Sequence, residues 1–142
     1  MRTVRQLLAE KPAGIFAVAP EAPVIQAIAL MAEKSIGAVL VMRGEVLAGI
    51  LSERDYARKV VLQGRSSADT PVEAIMTTPV VTVGPDTPVE ACMQLMTERR
   101  IRHLPVVEHG AVVGVISIGD LVKAVIADQQ MELEQLQRYI AG

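Results

Sequence analysis

An internal duplication constrains this chain more than any other feature. Displaced by 65 positions, the sequence falls on itself without a gap. Val18-Ala-Pro20-Glu-Ala-Pro23-Val24 lands on Val83-Gly-Pro85-Asp-Thr-Pro88-Val89. Further on, Leu30 and Met31 meet Leu95 and Met96, Ile36 meets Ile101, Gly49 meets Gly114, Ser52 meets Ser117 and Asp55 meets Asp120. Of the 44 pairs between Val18 and Val61, 13 are identical. The period exceeds the roughly 20–50 residues of solenoid repeats, and there are only two copies. Two related modules packed as a pseudo-twofold pair are therefore expected, because half of a 142-residue chain would struggle to bury a core alone.

Each copy punctuates itself in the same way. Pro20 to Pro23 and Pro85 to Pro88 close a short strand and open a helix, since proline is tolerated in a first helical turn. Val24, Ala27, Ile28 and Met31 then recur at helical spacing, as do Val89, Cys92, Met93 and Met96. Cys92 takes the place of Ala27 on that stripe and reads as a small buried hydrophobe. Two apolar runs about a short glycine-containing turn follow in each copy, Ala38–Met42 with Val46–Leu51 and His103–Val107 with Ala111–Ile116, the pattern of a covered hairpin. Pro105 predicts an edge position or a bulge for its strand. A helix closes each copy, with Ser52 or Ser117 as N-cap.

Short helical lead-ins, Val4–Leu8 and Val72–Met76, precede the copies at an offset of 68, and residues 63–71 read as the linker. The fold class is thus α/β (α+β): two β-α-β-β-α modules over 1–65 and 72–130, with a C-terminal helical extension over 131–142. Met131, Leu133, Leu136 and Ile140 leave that extension an apolar surface to be covered, and a homodimer partner is the expected cover.

Apolar residues make up 51% of the chain and aromatics only 2%, so the core must be aliphatic. Charged residues such as Glu33, Arg43 and Glu53 interrupt every apolar run before it reaches the ~18 residues of a membrane span. The amphipathic start shows no export signal, which sets a cytoplasmic expectation. A single cysteine excludes an internal disulfide and a paired-cysteine zinc site. A net charge of −2 with few aromatics argues against nucleic acid as a partner, the local run Arg99, Arg100, Arg102 notwithstanding.

The residues with most chemical content are Gly49-Ile-Leu-Ser52-Glu-Arg-Asp55 and Gly114-Val-Ile-Ser117-Ile-Gly-Asp120. In each, a buried strand runs into a helix whose first turn offers free N–H groups, a hydroxyl and a carboxylate. Free N–H groups favour an anion, and a carboxylate accepts two hydrogen bonds from a ribose diol. Ser-x-x-Asp is equally a plain capping arrangement, and on residues alone both readings stand.

This duplicated motif inside a duplicated strand-helix-strand-strand-helix order resembles the cystathionine-β-synthase (CBS) domain pair, from about Val4 to Ala127. The resemblance implies a disc-like pair of modules with two clefts, where many members bind AMP, ADP, ATP, NAD or S-adenosylmethionine, and for this chain AMP, ADP, ATP or NAD is the expected regulatory ligand. It further implies that Asp55 and Asp120 hold ribose hydroxyls and that Ser52 and Ser117, with Gly119 in the same turn, lie beside phosphate. Ala13, Gly14 and Ile15, and Thr78, Pro79 and Val80, would line the adenine. The family's basic phosphate position is filled by Arg102 and His103 in the second copy but by Gly37 and Ala38 in the first, where Arg54 would supply some charge. The principal site is therefore expected at Asp120.

No nucleophile–base set, metal-ligand cluster or phosphate-binding Gly-x-x-x-x-Gly-Lys loop stands in the sequence, so no catalytic cofactor and no enzymatic activity are expected. The expected function is nucleotide-biased regulation of a protein partner; the alternative is a ligand-independent dimerisation or adaptor module.

Overall fold

The computed structural model describes residues 2–11 and 14–141. In chain order the elements are α1 (Val4–Glu10), β1 (Ala17–Val18), α2 (Val24–Lys34), β2 (Ala38–Arg43), β3 (Val46–Ser52), α3 (Glu53–Tyr56), α4 (Val89–Arg99), β4 (His103–Glu108), β5 (Ala111–Ser117) and α5 (Ile118–Ala141). A π-helical stretch, Ala57–Val61, prolongs α3, and a 3-10 turn, Val72–Ala74, is the second lead-in. α2 and α4, β2 and β4, and β3 and β5 correspond residue for residue at the offset of 65. Even the helix ends agree. Pro23 and Pro88 are extended N-caps, and Ser35 and Arg100 close their helices in the left-handed region at φ 54° and 55°.

The described contacts group into two compact units whose boundaries are not those of the repeat. One unit comprises residues 14–81 with 109–112; the other comprises 1–13, 82–108 and 113–142. The lead-ins are thus exchanged, each joining the unit built mainly from the other copy. In the first of these units Val72 N–H bonds the Ala22 carbonyl at 2.8 Å and Val24 N–H bonds that of Thr70 at 2.9 Å. In the second, Val4 N–H bonds Thr87 and Val89 N–H bonds Arg2, each at 2.9 Å. The same two bonds recur because the same residues recur.

Equivalent positions also build both interiors. Val24, Ala27, Met31, Val39, Val41 and Leu51 pack with Val72 and Ile75 in one unit. Val89, Cys92, Met96, Leu104, Val106 and Ile116 are buried in the other, as are Val4 and Leu7. Each unit's interior is worth about 1.5–3 kcal/mol per buried large aliphatic side chain before chain entropy is set against it. Cys92 is fully buried, and burial pushes its thiol above the usual range.

A glycine stands in each copy where a lead-in crosses a strand. A Cβ on Gly49 would stand 2.5 Å from Met76 Sδ and 3.1 Å from the Thr77 carbonyl oxygen; one on Gly114 would stand 2.7 Å from Leu8 Cδ2. At the tip between β4 and β5 both His109 (φ 52°) and Gly110 (φ 78°) are left-handed, as a primed two-residue turn demands.

Pro105 lies in a strand with a single strand neighbour, as its sequence expectation has it. It is buried, and β4 has β5 as neighbour on one side and a parallel bridge from Val83 to Val106 on the other. In the first copy Leu40, at the equivalent position, donates its N–H to the Phe16 carbonyl at 3.0 Å, and β1 pairs with β2 over two residues. Proline has no N–H to give, so in the second copy that pairing shrinks to one bridge and β4 stays at the edge of a two-stranded sheet. In the first copy a bulge lies at Val41/Met42.

α5 runs for 24 residues. Leu121 and Ala124 are buried, whereas every residue from Gln129 to Ala141 is exposed.

Candidate ligand-binding site

The strand-to-helix turns at Ser52 and Ser117 fold into reciprocal capping boxes. Asp55 N–H bonds Ser52 Oγ at 3.1 Å while Ser52 N–H bonds Asp55 Oδ2 at 3.0 Å. Asp120 N–H bonds Ser117 Oγ at 3.2 Å while Ser117 N–H bonds Asp120 Oδ2 at 2.8 Å. Each box satisfies two donors that a helix start otherwise leaves open, worth roughly 0.5–2 kcal/mol.

The two carboxylates differ in what else they hold. Asp55 is engaged on both oxygens: Oδ2 also accepts from Ser52 Oγ at 3.0 Å, and Oδ1 accepts from Thr77 Oγ1 and Lys59 Nζ, each at 3.2 Å. Asp120 gathers its bonds on Oδ2, where Lys11 Nζ joins the Ser117 amide at 2.8 Å; Lys11 is itself anchored by the Val115 carbonyl at 2.7 Å. Among the described residues no donor reaches Asp120 Oδ1. Its side chain is 26% exposed against 14% for Asp55.

Burial acts to raise the Asp120 carboxyl, but the Lys11 hydrogen bond and the Ser117 amide outweigh it and hold the group below the usual carboxylate value. His103 moves the other way for a base. Burial first, then the charges of Lys11 and Arg102, hold its imidazole below the ordinary histidine value against the pull of Asp120. Asp120 is thus ionised and His103 neutral near pH 7.

Beside Asp120 lies a cleft of about 330 Å³, lined by Leu7, Ile116 and Ala124 on its apolar side and by Arg2, Lys11, Lys123 and Glu10 as its other charges. This is at the lower end of the size of small-molecule sites, and the mix of apolar wall with a few convergent charges is their usual make-up. Arg102 and His103 are not among its lining residues. They enter β4 close by, with the Arg102 carbonyl accepting the Ile118 N–H at 2.9 Å. Gly119 is exposed in the first turn of α5.

Thr78, Pro79 and Val80 belong to the unit of Asp55, directly after Thr77, and the Thr78–Pro79 peptide is cis. Gly14 and Ile15 also belong to that unit and are exposed, as is Arg54 on α3; Ala13 lies outside the described residues. The structure therefore brings Asp120, Ser117 and His103 together, and Asp55, Ser52 and the run behind Thr77. Sequence reasoning missed Lys11, Lys59 and Thr77. Lys11 has no equivalent in the repeat and lies 109 positions from its partner, so no local pattern points to it. Lys59, four residues after Asp55 on one helix face, did carry a signal. Among the described residues no group of three or more metal-ligating side chains occurs, and no helix is long and apolar enough to cross a membrane.

Two capping turns repeated at 65 residues, each where the second strand of a hairpin runs into a helix, define a fold of two tandem related modules. The chain belongs to the CBS-domain family, whose profile matches residues 4–62 and 72–127. It is 47% identical over 124 residues to the mitochondrial CBS domain-containing protein CBSX3 of Arabidopsis thaliana, a match covering 84% of this chain and 60% of that protein. The chain thus spans less than two thirds of that relative's length. A solved CBS-domain protein from Burkholderia ambifaria MC40-6 is 57% identical with a TM-score of 0.88, covering 90% of this chain and 96% of that one. The CBS domain protein PAE2072 from Pyrobaculum aerophilum, solved in complex with AMP, is 27% identical with a TM-score of 0.75, covering 84% and 89%.

Proposed function

We propose that this chain is a non-catalytic regulatory module that binds an adenine nucleotide, AMP, ADP, ATP or NAD, with Asp120 as the ribose-binding carboxylate. Ligand binding biases the conformation or self-assembly of the module and so the activity of a protein partner. A second copy of the chain is part of this reading. The observation that carries it is the inequality of two otherwise matched aspartates. Asp55 has both oxygens committed within the fold, whereas no donor among the described residues reaches Asp120 Oδ1, beside a cleft lined by charges of both signs. The AMP complex of a family member supports the ligand class.

Calorimetry with AMP, ADP, ATP and NAD tests the assignment: heat from at least one of them, lost in Asp120→Ala, is expected. No heat from any of the four ends the nucleotide reading.

A second reading rests on the capping boxes, which are complete without a ligand. If Ser117 and Asp120 are purely structural and the chain is a dimerisation module or adaptor, Asp120→Ala lowers the melting temperature while added nucleotide leaves the wild type unmoved.

A further inference from the structure

Five of the large apolar side chains that α5 exposes lie on one seam, Val122, Ile126, Leu133, Leu136 and Ile140, which are 41%, 55%, 52%, 55% and 75% exposed. With Gln129 they step along the helix at intervals of four, three, four, three and four residues. Alternating fours and threes is the 3.5-residue period of two helices wound about each other, distinct from the broader stripe of a helix lying on a globular surface. At 100° per residue the seam is centred roughly 130° round the helix from Leu121 and Ala124, so it is not the face that α5 already buries. From Gln129 onward the helix has no covered residue, and a stretch of about 13 residues is marginal on its own.

We infer that this seam zips in parallel, in register, against the same seam of a second copy of the chain. The inference rests on the self-pairing in the proposed function and assigns its surface. Three features select the occupant. The period is that of helix on helix. Gln129, at mid-seam, meets the partner's Gln129 when the strands are parallel and in register, and an amide is both donor and acceptor; a foreign apolar groove would leave it unpaired. The area is that of a small interface: at roughly 60–120 Å² for each buried Val, Leu or Ile, ten seam side chains from two copies remove about 600–1,200 Å², which at its top meets the lower end of stable interfaces. Direction follows from charge. An antiparallel pairing centred on the seam sets Glu132 against the partner's Glu132, whereas the parallel pairing sets it beside the partner's Gln137.

Sedimentation of the full chain at micromolar concentration, with Leu133→Glu/Leu136→Glu and Gln129→Cys as variants, tests this. A wild-type dimer that the double variant turns into monomer, losing at most the helical signal of about the last 13 residues while the two units stay folded, is expected. Gln129→Cys is expected to form a disulfide between copies on mild oxidation, while the wild type, whose Cys92 is buried, does not. A monomeric wild type overturns self-pairing and the seam together. A dimer indifferent to the double variant overturns the seam and leaves self-pairing standing. A dimer broken by the charges but not cross-linked through residue 129 overturns the parallel register.

Discussion

Lys11 Nζ lies 2.8 Å from Asp120 Oδ2, joining the end of the first lead-in helix to the first turn of the last helix in the chain. The pair is about a third exposed, so solvent screens it, and Lys11→Met is expected to cost only about 0.5–1 kcal/mol. Its larger effect is on acid stability. The folded Asp120 value lies below the unfolded one of about 3.9, so its contribution is present above that value and lost as pH falls through the folded one. Urea unfolding at a series of pH values from 5 to 2.5 should therefore show a flatter acid limb in Asp120→Asn and in Lys11→Met than in the wild type. Superimposable limbs would contradict the arrangement.

Binding should separate the two matched aspartates. Asp120→Ala is expected to weaken nucleotide binding by about 1.5–3 kcal/mol, the range for hydrogen bonds to a charged group. Asp55→Ala should weaken it much less and instead lower stability, since it strips partners from Lys59 and Thr77. Equal losses of affinity in calorimetry would remove the distinction drawn between the sites.

His103 supplies a pH dependence of its own. Its folded value is depressed, so the unfolded chain takes up the proton first, and stability falls as pH drops below about 6.5. His103→Gln should abolish that slope between pH 7 and 5. A bound phosphate would favour the imidazolium, so nucleotide binding near pH 6 is expected to take up a fraction of a proton, read as a buffer-dependent heat. Identical heats in buffers of different ionisation enthalpy would exclude His103 from the phosphate.

The two crossing glycines should not be equally replaceable. Gly114→Ala meets only the Leu8 side chain, which can turn aside, whereas Gly49→Ala meets Met76 and also the fixed Thr77 carbonyl. A loss of about 1–3 kcal/mol is expected for Gly49→Ala and a smaller one for Gly114→Ala, measured by thermal unfolding.

Much of this architecture was legible before any coordinate. The helical stripes through Ala27 and Cys92, the hairpins, and the Ser-x-x-Asp turns are all local patterns, and local patterns are what a sequence displays. Pro105 marks how far such reading goes. Its missing N–H is written in the sequence and fits a strand with one strand neighbour, but the single bridge that Val83 makes from the other side comes only with tertiary packing.

The site divides in the same way. Sequence alone determined that Asp55 and Asp120 would cap equivalent helices, because capping needs only residues three apart. It also marked the copies as unequal, through Arg102 and His103. Which carboxylate stays available was decided by tertiary structure. Thr77 closes over Asp55 and Lys11 reaches only one oxygen of Asp120, because each lead-in packs on the strands of the other copy. Contacts between residues 22 and 109 positions apart follow from packing, which no spacing along the chain expresses.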